Sequence, residues 1–179
     1  QMDAKTLQNL LENNIAYIKD IPEDFVLKPK QRLQVEAFRM GVPTIHKDNI
    51  SEYLETFTYP LYFFDYETLG SLVPYFDGLK PYQQLPFQYS LHVLESLDAE
   101  IKHYEYLHKD NSNPSKPLTE ALMSQIGESG TVITWNMGFE KSCNSLIGSL
   151  LPEYAEFYEK LNERIVDLMT PFSKNWYVD

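Results

Sequence analysis

Cysteine is almost missing from this chain, which has one, Cys143, in 179 residues. A single thiol forms neither an intramolecular disulfide nor a paired-cysteine zinc cluster, so stability has to come from a packed core, and a reducing cytoplasm is the expected home. Basic residues are also scarce, 15 Lys and Arg against 26 Asp and Glu, for a formal net charge of -11. That balance argues against a protein that grips nucleic acid by bulk electrostatics. An acidic enzyme can still act on nucleic acid where metal ions or a neighbouring basic domain supply the positive charge. No run approaches the roughly 18 consecutive apolar residues of a spanning helix, and the amino end lacks the basic-then-apolar order of a signal peptide. The chain is therefore expected to be soluble and unexported, with no membrane partner. A Gly-rich phosphate loop is absent, which leaves ATP hydrolysis without support, and there are no internal repeats or low-complexity runs.

What is there suffices for one well-buried domain with a small helical appendage, since 43% of the residues are hydrophobic. Residues 1–58 are expected to form a helical linker or cap. "KTLQNLLENN" sets Leu7, Leu10 and Leu11 on one helical face, "KQRLQVEAFRMG" ends with Gly41 where a helix terminus wants it, and "DNISEYLETF" offers Asp48 or Asn49 as N-cap. From Tyr59 the pattern turns to strands, so residues 59–179 are expected to form the main domain. "LYFFDYE" is apolar on both faces, which predicts a central strand covered on both sides. "PFQYSLHVLES" and "IKHYEYLH", separated by "LDAE", predict an antiparallel hairpin. A helix near "KPLTEALMSQIGE", a strand at "TVITW", helices over about 138–151 and 152–163, and a strand at "RIVDLM" complete an α/β pattern. Three antiparallel strands followed by helix-strand-helix-strand is the order of an RNase H-like mixed sheet. The chain begins "QMDAKT" and stops at "NWYVD", directly after an expected strand and an aromatic cluster, which reads as a fragment of a longer protein truncated at its C-terminus.

"YFFDYET" sets two acids inside an aromatic run. Ionised carboxylates leave water only when a cation or donor set receives them. Residues two apart on a strand share a face, so Asp65 and Glu67 point the same way with Cα atoms about 6.5 Å apart. That spacing suits a shared metal site, and hard carboxylate oxygens favour Mg²⁺ or Mn²⁺. The alternative is that the strand ends near Tyr66 and both acids face solvent. In "TVITWNMGFEKSCNSLIGSLL" a buried strand runs into a helix whose apolar side is Phe139, Cys143, Leu146, Ile147, Leu150 and Leu151. Glu140 lies in its first turn, beside that side but not on it. It would meet Asp65 and Glu67 if the two strands are neighbours; otherwise it complements the helix dipole, with Asn136 capping the helix or holding the turn.

"FFDYET" followed by "TWNMGFEKS" resembles the first two motifs of the DEDD 3'-to-5' exonucleases, a branch of the RNase H-like superfamily. More narrowly, "YPLYFFDYETLG", "KPYQQLPFQYSLH" and "WNMGFEKS" with "RIVDLM" resemble a bacterial domain-of-unknown-function family. Its members often carry a restriction-endonuclease-like nuclease region upstream. The likeness runs from about Pro22 to Asp179. It implies a two-metal phosphodiesterase site with Asp65 bridging both Mg²⁺ or Mn²⁺ ions, Glu67 helping to hold the ion that activates water, Glu140 in place of the second motif's Asp, and Asn136 supporting the turn. The third motif, a Tyr or His shortly before an Asp, is not found after "RIVDLM"; Asp167 reads as structural. The expected function is a metal-dependent nuclease acting on an end of DNA or RNA, beside a neighbouring nuclease domain in the full-length protein. The alternative is a catalytically silent binding module of the same fold.

Tyr82, Gln83 and Gln84, in a Pro-bounded loop, are candidate substrate contacts through stacking and amide bonds, or else a rigid cover of the sheet. His46, His92, His103 and His108 are scattered, with His92 and His103 placed to pack across the hairpin. Cys143, on an apolar helix face, is expected to be inert.

Overall fold

Apolar residues recur at helical spacing before residue 56 and alternate from Tyr59 onward, and a computed structural model, which describes residues 3–179, follows that change. In chain order the elements are α1 (Ala4–Glu12), α2 (Pro29–Met40), β1 (Thr44–Ile45), α3 (Lys47–Glu55), β2 (Leu61–Leu69), β3 (Leu85–Leu94), β4 (Lys102–Leu107), α4 (Ser115–Gln125), β5 (Thr131–Thr134), α5 (Met137–Leu150), α6 (Ala155–Glu163), β6 (Ile165–Asp167), α7 (Thr170–Ser173) and β7 (Tyr177–Val178). They divide into two compact units, one of residues up to Leu54 with Thr170–Asp179, the other Glu55–Met169.

In the first unit Leu10, Ile21, Phe25 and Val35 form a small core. Of the leucines expected along one face of α1, Leu10 is buried while Leu7 and Leu11 are exposed, because this core reaches only one turn of that helix. The Arg32 guanidinium donates to the carbonyls of Glu23 and Phe25, and Arg39 donates to that of Ile21, which fastens the turn to α2. Gly41 ends α2 in the left-handed region, as its position predicted. Helix α3 starts at Lys47, which places Asp48 inside the first turn instead of at the cap. The final residues join this unit through β1 and β7, paired antiparallel with Thr44 opposite Val178.

The second unit is α/β, with a mixed sheet in the order β4-β3-β2-β5-β6. Strands β2, β3 and β4 form the expected antiparallel run, and β5 and β6 continue the sheet parallel to β2. Gly130, at φ +90°, permits the close approach that starts β5 beside β2, since a Cβ there would collide with the Pro60 carbonyl.

One sheet face carries the core. Tyr62, Phe64 and Tyr66 of β2 and Tyr89, Leu91 and Val93 of β3 pack against Leu118 and Leu122 of α4, Cys143 and Ile147 of α5, and Tyr158 and Leu161 of α6. Fully burying a side chain such as Leu91 contributes about 1.5–3 kcal/mol. Polar groups of the sheet's core face pair with one another: Tyr66 Oη donates to Asn144 Oδ1 at 2.9 Å, Asn144 Nδ2 to Asn162 Oδ1 at 2.8 Å, and Tyr89 Oη to Gln125 Oε1 at 2.6 Å.

The opposite face departs from the expectation that β2 is covered on both sides, for Phe63, Asp65 and Glu67 are all exposed. The helices of this unit supply cover to one face only, and carboxylates on the other keep their water. His92 and His103 stand directly opposite each other on β3 and β4, rings stacked 4.2 Å apart, as the hairpin register required.

Candidate functional site

Parallel pairing of β2 with β5 and of β5 with β6 brings their carboxyl ends to one edge of the sheet. Asp65 and Glu67 lie near the end of β2, Trp135 and Asn136 follow β5, and Asp167 closes β6. Open α/β sheets gather ligands at this kind of edge. The condition set by the sequence for Glu140 to approach the β2 acids, that the two strands be neighbours, is met.

The turn from β5 into α5 depends on Asn136, which sits at φ 67°, ψ 61°. Asn tolerates this left-handed conformation better than most residues. Its side chain makes no capping bond. The turn is held through its backbone: the Asn136 N–H donates to Asp167 Oδ1 at 3.0 Å, and its carbonyl accepts the Phe139 N–H at 2.9 Å. Asp167 Oδ1 also accepts the Met169 N–H at 2.9 Å. Asp167 is thus a structural brace between two strand ends, in keeping with its reading from sequence.

Glu140 differs from its expected position. It lies on the buried side of α5 with Cys143, Asn144 and Ile147, at 1% exposure. The helix is rotated so that Phe139, expected on the apolar side, is only half-buried. Oε2 of Glu140 is buried with no hydrogen-bond partner. Loss of water pushes its pKa up to about 7, opposed by a backbone N–H and assisted by the negative charges of Asp65 and Asp167. The negative charge of Asp65 therefore reaches Glu140. Burial also lifts the Cys143 thiol to about 12, which leaves it an inert core group.

Of the three acids, Asp65 lines an open cleft of about 440 Å³ together with Phe63, Ser90, His92, Trp135 and Leu168. His92 and Trp135 were not expected there; they follow from the strand register, which sets His92 opposite Phe63 and places Trp135 just beyond the β5 pairing. In the loop before β3, Tyr82 adopts φ 59° and leaves its ring exposed. Gln83 Oε1 accepts the Lys80 N–H at 2.8 Å, and Gln84 Oε1 accepts the Thr68 hydroxyl at 2.8 Å. The first closes a turn within the loop, and the second ties the loop to the end of β2.

In kind, the donors fit a hard divalent ion: carboxylate oxygens, one of them buried and unsatisfied. In placement, the fit is partial, because no three His, Cys, Asp or Glu side chains among the described residues are gathered so that they could hold a metal ion.

A family model described as Domain of unknown function (DUF2779) matches residues 62–179. That span takes in β2 to β6 and the helices between them. No curated protein matches the chain, and no solved structure does. Among the described residues no helix is long and apolar enough to cross a membrane.

Proposed function

The chain belongs to the DUF2779 family, and we propose that it is a metal-dependent nuclease, a 3'-to-5' exonuclease-like phosphodiesterase acting on DNA or RNA with Mg²⁺ or Mn²⁺. The observation that carries this reading is Glu140 Oε2, a buried carboxylate oxygen without a donor, electrostatically coupled to Asp65 at the carboxyl edge of the sheet. Such an oxygen is satisfied by a proton or by a cation. A further support is the strand order β4-β3-β2-β5-β6 with its antiparallel and parallel halves, which is the order of an RNase H-like sheet.

When bound, paired cations supply a water nucleophile near neutral pH and stabilise the leaving oxygen of an in-line displacement. On this reading Asp65 and Glu67 offer exposed oxygens from one strand face, and Glu140, poised near neutrality, loses its proton as positive charge arrives. Asp167 and the Asn136 backbone hold Glu140's helix in place. The chain's own charge of -11 repels phosphate, so a neighbouring nuclease region in the full-length protein would share in gripping the strand. The one buried thiol suits work in the cytoplasm.

A second reading, a catalytically silent module of this fold that binds protein or nucleic acid for its neighbour, is favoured by the absence of a gathered three-ligand cluster among the described residues. Mn²⁺ titration of the full-length protein, followed by digestion of end-labelled single strands, separates the two. The nuclease reading expects Mn²⁺ binding and cleavage that fall on the order of 10²–10³-fold in Asp65→Asn, the size of losing one electrostatic stabiliser of a transition state. Wild type and variant that match, with neither binding Mn²⁺, would establish the silent module.

A further inference from the structure

A bulge in β3 opens a second cavity at the same sheet edge. The register passes from Glu67 opposite Gln88 to Thr68 opposite Pro86, leaving Phe87 with no partner on β2. A bulge of this kind re-aims a side chain and is common beside functional sites. The Phe87 carbonyl accepts the His108 N–H at 2.9 Å, which ties the loop after β4 to the bulge.

Phe87, Tyr75 and Phe76 supply aromatic surface to this cavity of about 590 Å³, and His108, Asp110 and Asn111 supply polar groups. Its volume falls within the roughly 300–1,000 Å³ of small-molecule sites. The polar side is pre-arranged. His108 Nδ1 lies 3.0 Å from the Tyr106 hydroxyl, and its Nε2 lies 3.0 Å from the Ser112 carbonyl. A carbonyl only accepts, so Nε2 carries a proton, and Asp110 Oδ1 lies 3.1 Å from the same nitrogen. Asp110 Oδ1 accepts the Ser112 N–H at 2.7 Å. Tyr75 is 69% exposed, so core packing does not account for its ring.

The lining chemistry narrows the occupant. None of the lining residues is Lys or Arg, which disfavours a phosphate. Aromatic faces beside fixed edge groups suit a flat ring with its own donors and acceptors. Leu69, which also lines the cavity, is two residues beyond Glu67 on β2, a separation of about 6.5 Å by strand rise.

We propose that this cavity is a nucleobase subsite, in which the end base of a single strand stacks on Tyr75 and Phe87 while Asp110 and Asn111 bond its edge. It rests on the nuclease reading for its role, because it sets a terminal base beside Glu67 and the adjoining phosphodiester toward Asp65. Binding alone tests it, with EDTA present so that no cleavage occurs.

Fluorescence anisotropy of the full-length protein would compare a labelled single strand with strands of equal length whose 3' or 5' terminal residue is abasic. The expected result is that one abasic end weakens binding by about five- to a hundredfold, the worth of a single base-on-aromatic stack. Tyr75→Ala should weaken the intact strand by a similar factor and erase the discrimination. Tyr75→Phe, which keeps the ring, should bind as wild type does. Equal binding of intact and abasic strands, no binding of either, or unchanged discrimination in Tyr75→Ala overturns the subsite. Discrimination without metal-dependent cleavage refutes the nuclease reading and leaves the subsite standing; cleavage without discrimination does the reverse.

Discussion

The two faces of β2 are made from interleaved residues of one short segment and follow opposite rules. Tyr62, Phe64 and Tyr66 are each 3–4% exposed beneath the helices, and Tyr66, the deepest polar group among them, finds Asn144 for its hydroxyl. Phe63, Asp65 and Glu67 face outward, and their nearest company is a stacked histidine pair, a tryptophan and the cleft beside Asp65. The first face makes stability and has no group left over for chemistry. The second makes little stability and carries the charges. Glu140 stands between them as a buried acid within electrostatic reach of the exposed Asp65.

This contrast can be broken from the covered side first. Leu91, with no exposure at all, should cost about 2–5 kcal/mol as Leu91→Ala, by lost transfer energy and the cavity left behind; urea melts would measure it. A cost under 1 kcal/mol would mean that the helices do not pack on this face as described.

Glu140 provides the next test, through pH. Its carboxyl titrates near 7 when folded against an ordinary value of 4.5. Between those values the folded chain holds a proton that the unfolded chain has released, so stability falls as pH rises from about 4.5 and levels off above about 7. At about 1.4 kcal/mol per pKa unit, metal-free Glu140→Gln should exceed wild type in stability by about 3–4 kcal/mol at pH 8 and match it near pH 4. Parallel wild-type and variant curves across that range would show that Glu140 is not buried as a lone acid.

The smallest effects belong to the open face. Phe63→Ser and Asp65→Asn should each change unfolding free energy by no more than about 0.5 kcal/mol, even though Asp65→Asn is expected to remove activity. A large loss of stability in either would show that this face is core.

Element types were legible where periodicity was long. The hairpin around "LDAE", the helices after Pro114 and Asn136, and the strands "TVIT" and "IVD" all occur where the pattern put them, because hydrophobic spacing reports which side of an element is dry. The shared face of Asp65 and Glu67 was legible for the same reason. Which face would be covered was not, since Phe63 and Phe64 carry equal hydrophobicity and only the placement of α4, α5 and α6 separates them. The rotation that buries Glu140 and lifts Phe139 outward was equally hidden, as was the cavity around Phe87, which depends on a one-residue slip in pairing that local composition does not encode.

By itself the sequence determined the inventory: a thiol-poor, acidic α/β chain with two acids on one strand face and a third opening a later helix. Local periodicity and the two-residue repeat of a strand are properties of neighbouring residues, so they can be read without coordinates. Tertiary structure alone decided that Glu140 lies buried and unsatisfied, that the charge of Asp65 acts on it, and that aromatic rings from two segments line one cavity. Burial and electrostatic coupling depend on distances between residues far apart in the chain, and those distances exist only after the sheet has formed.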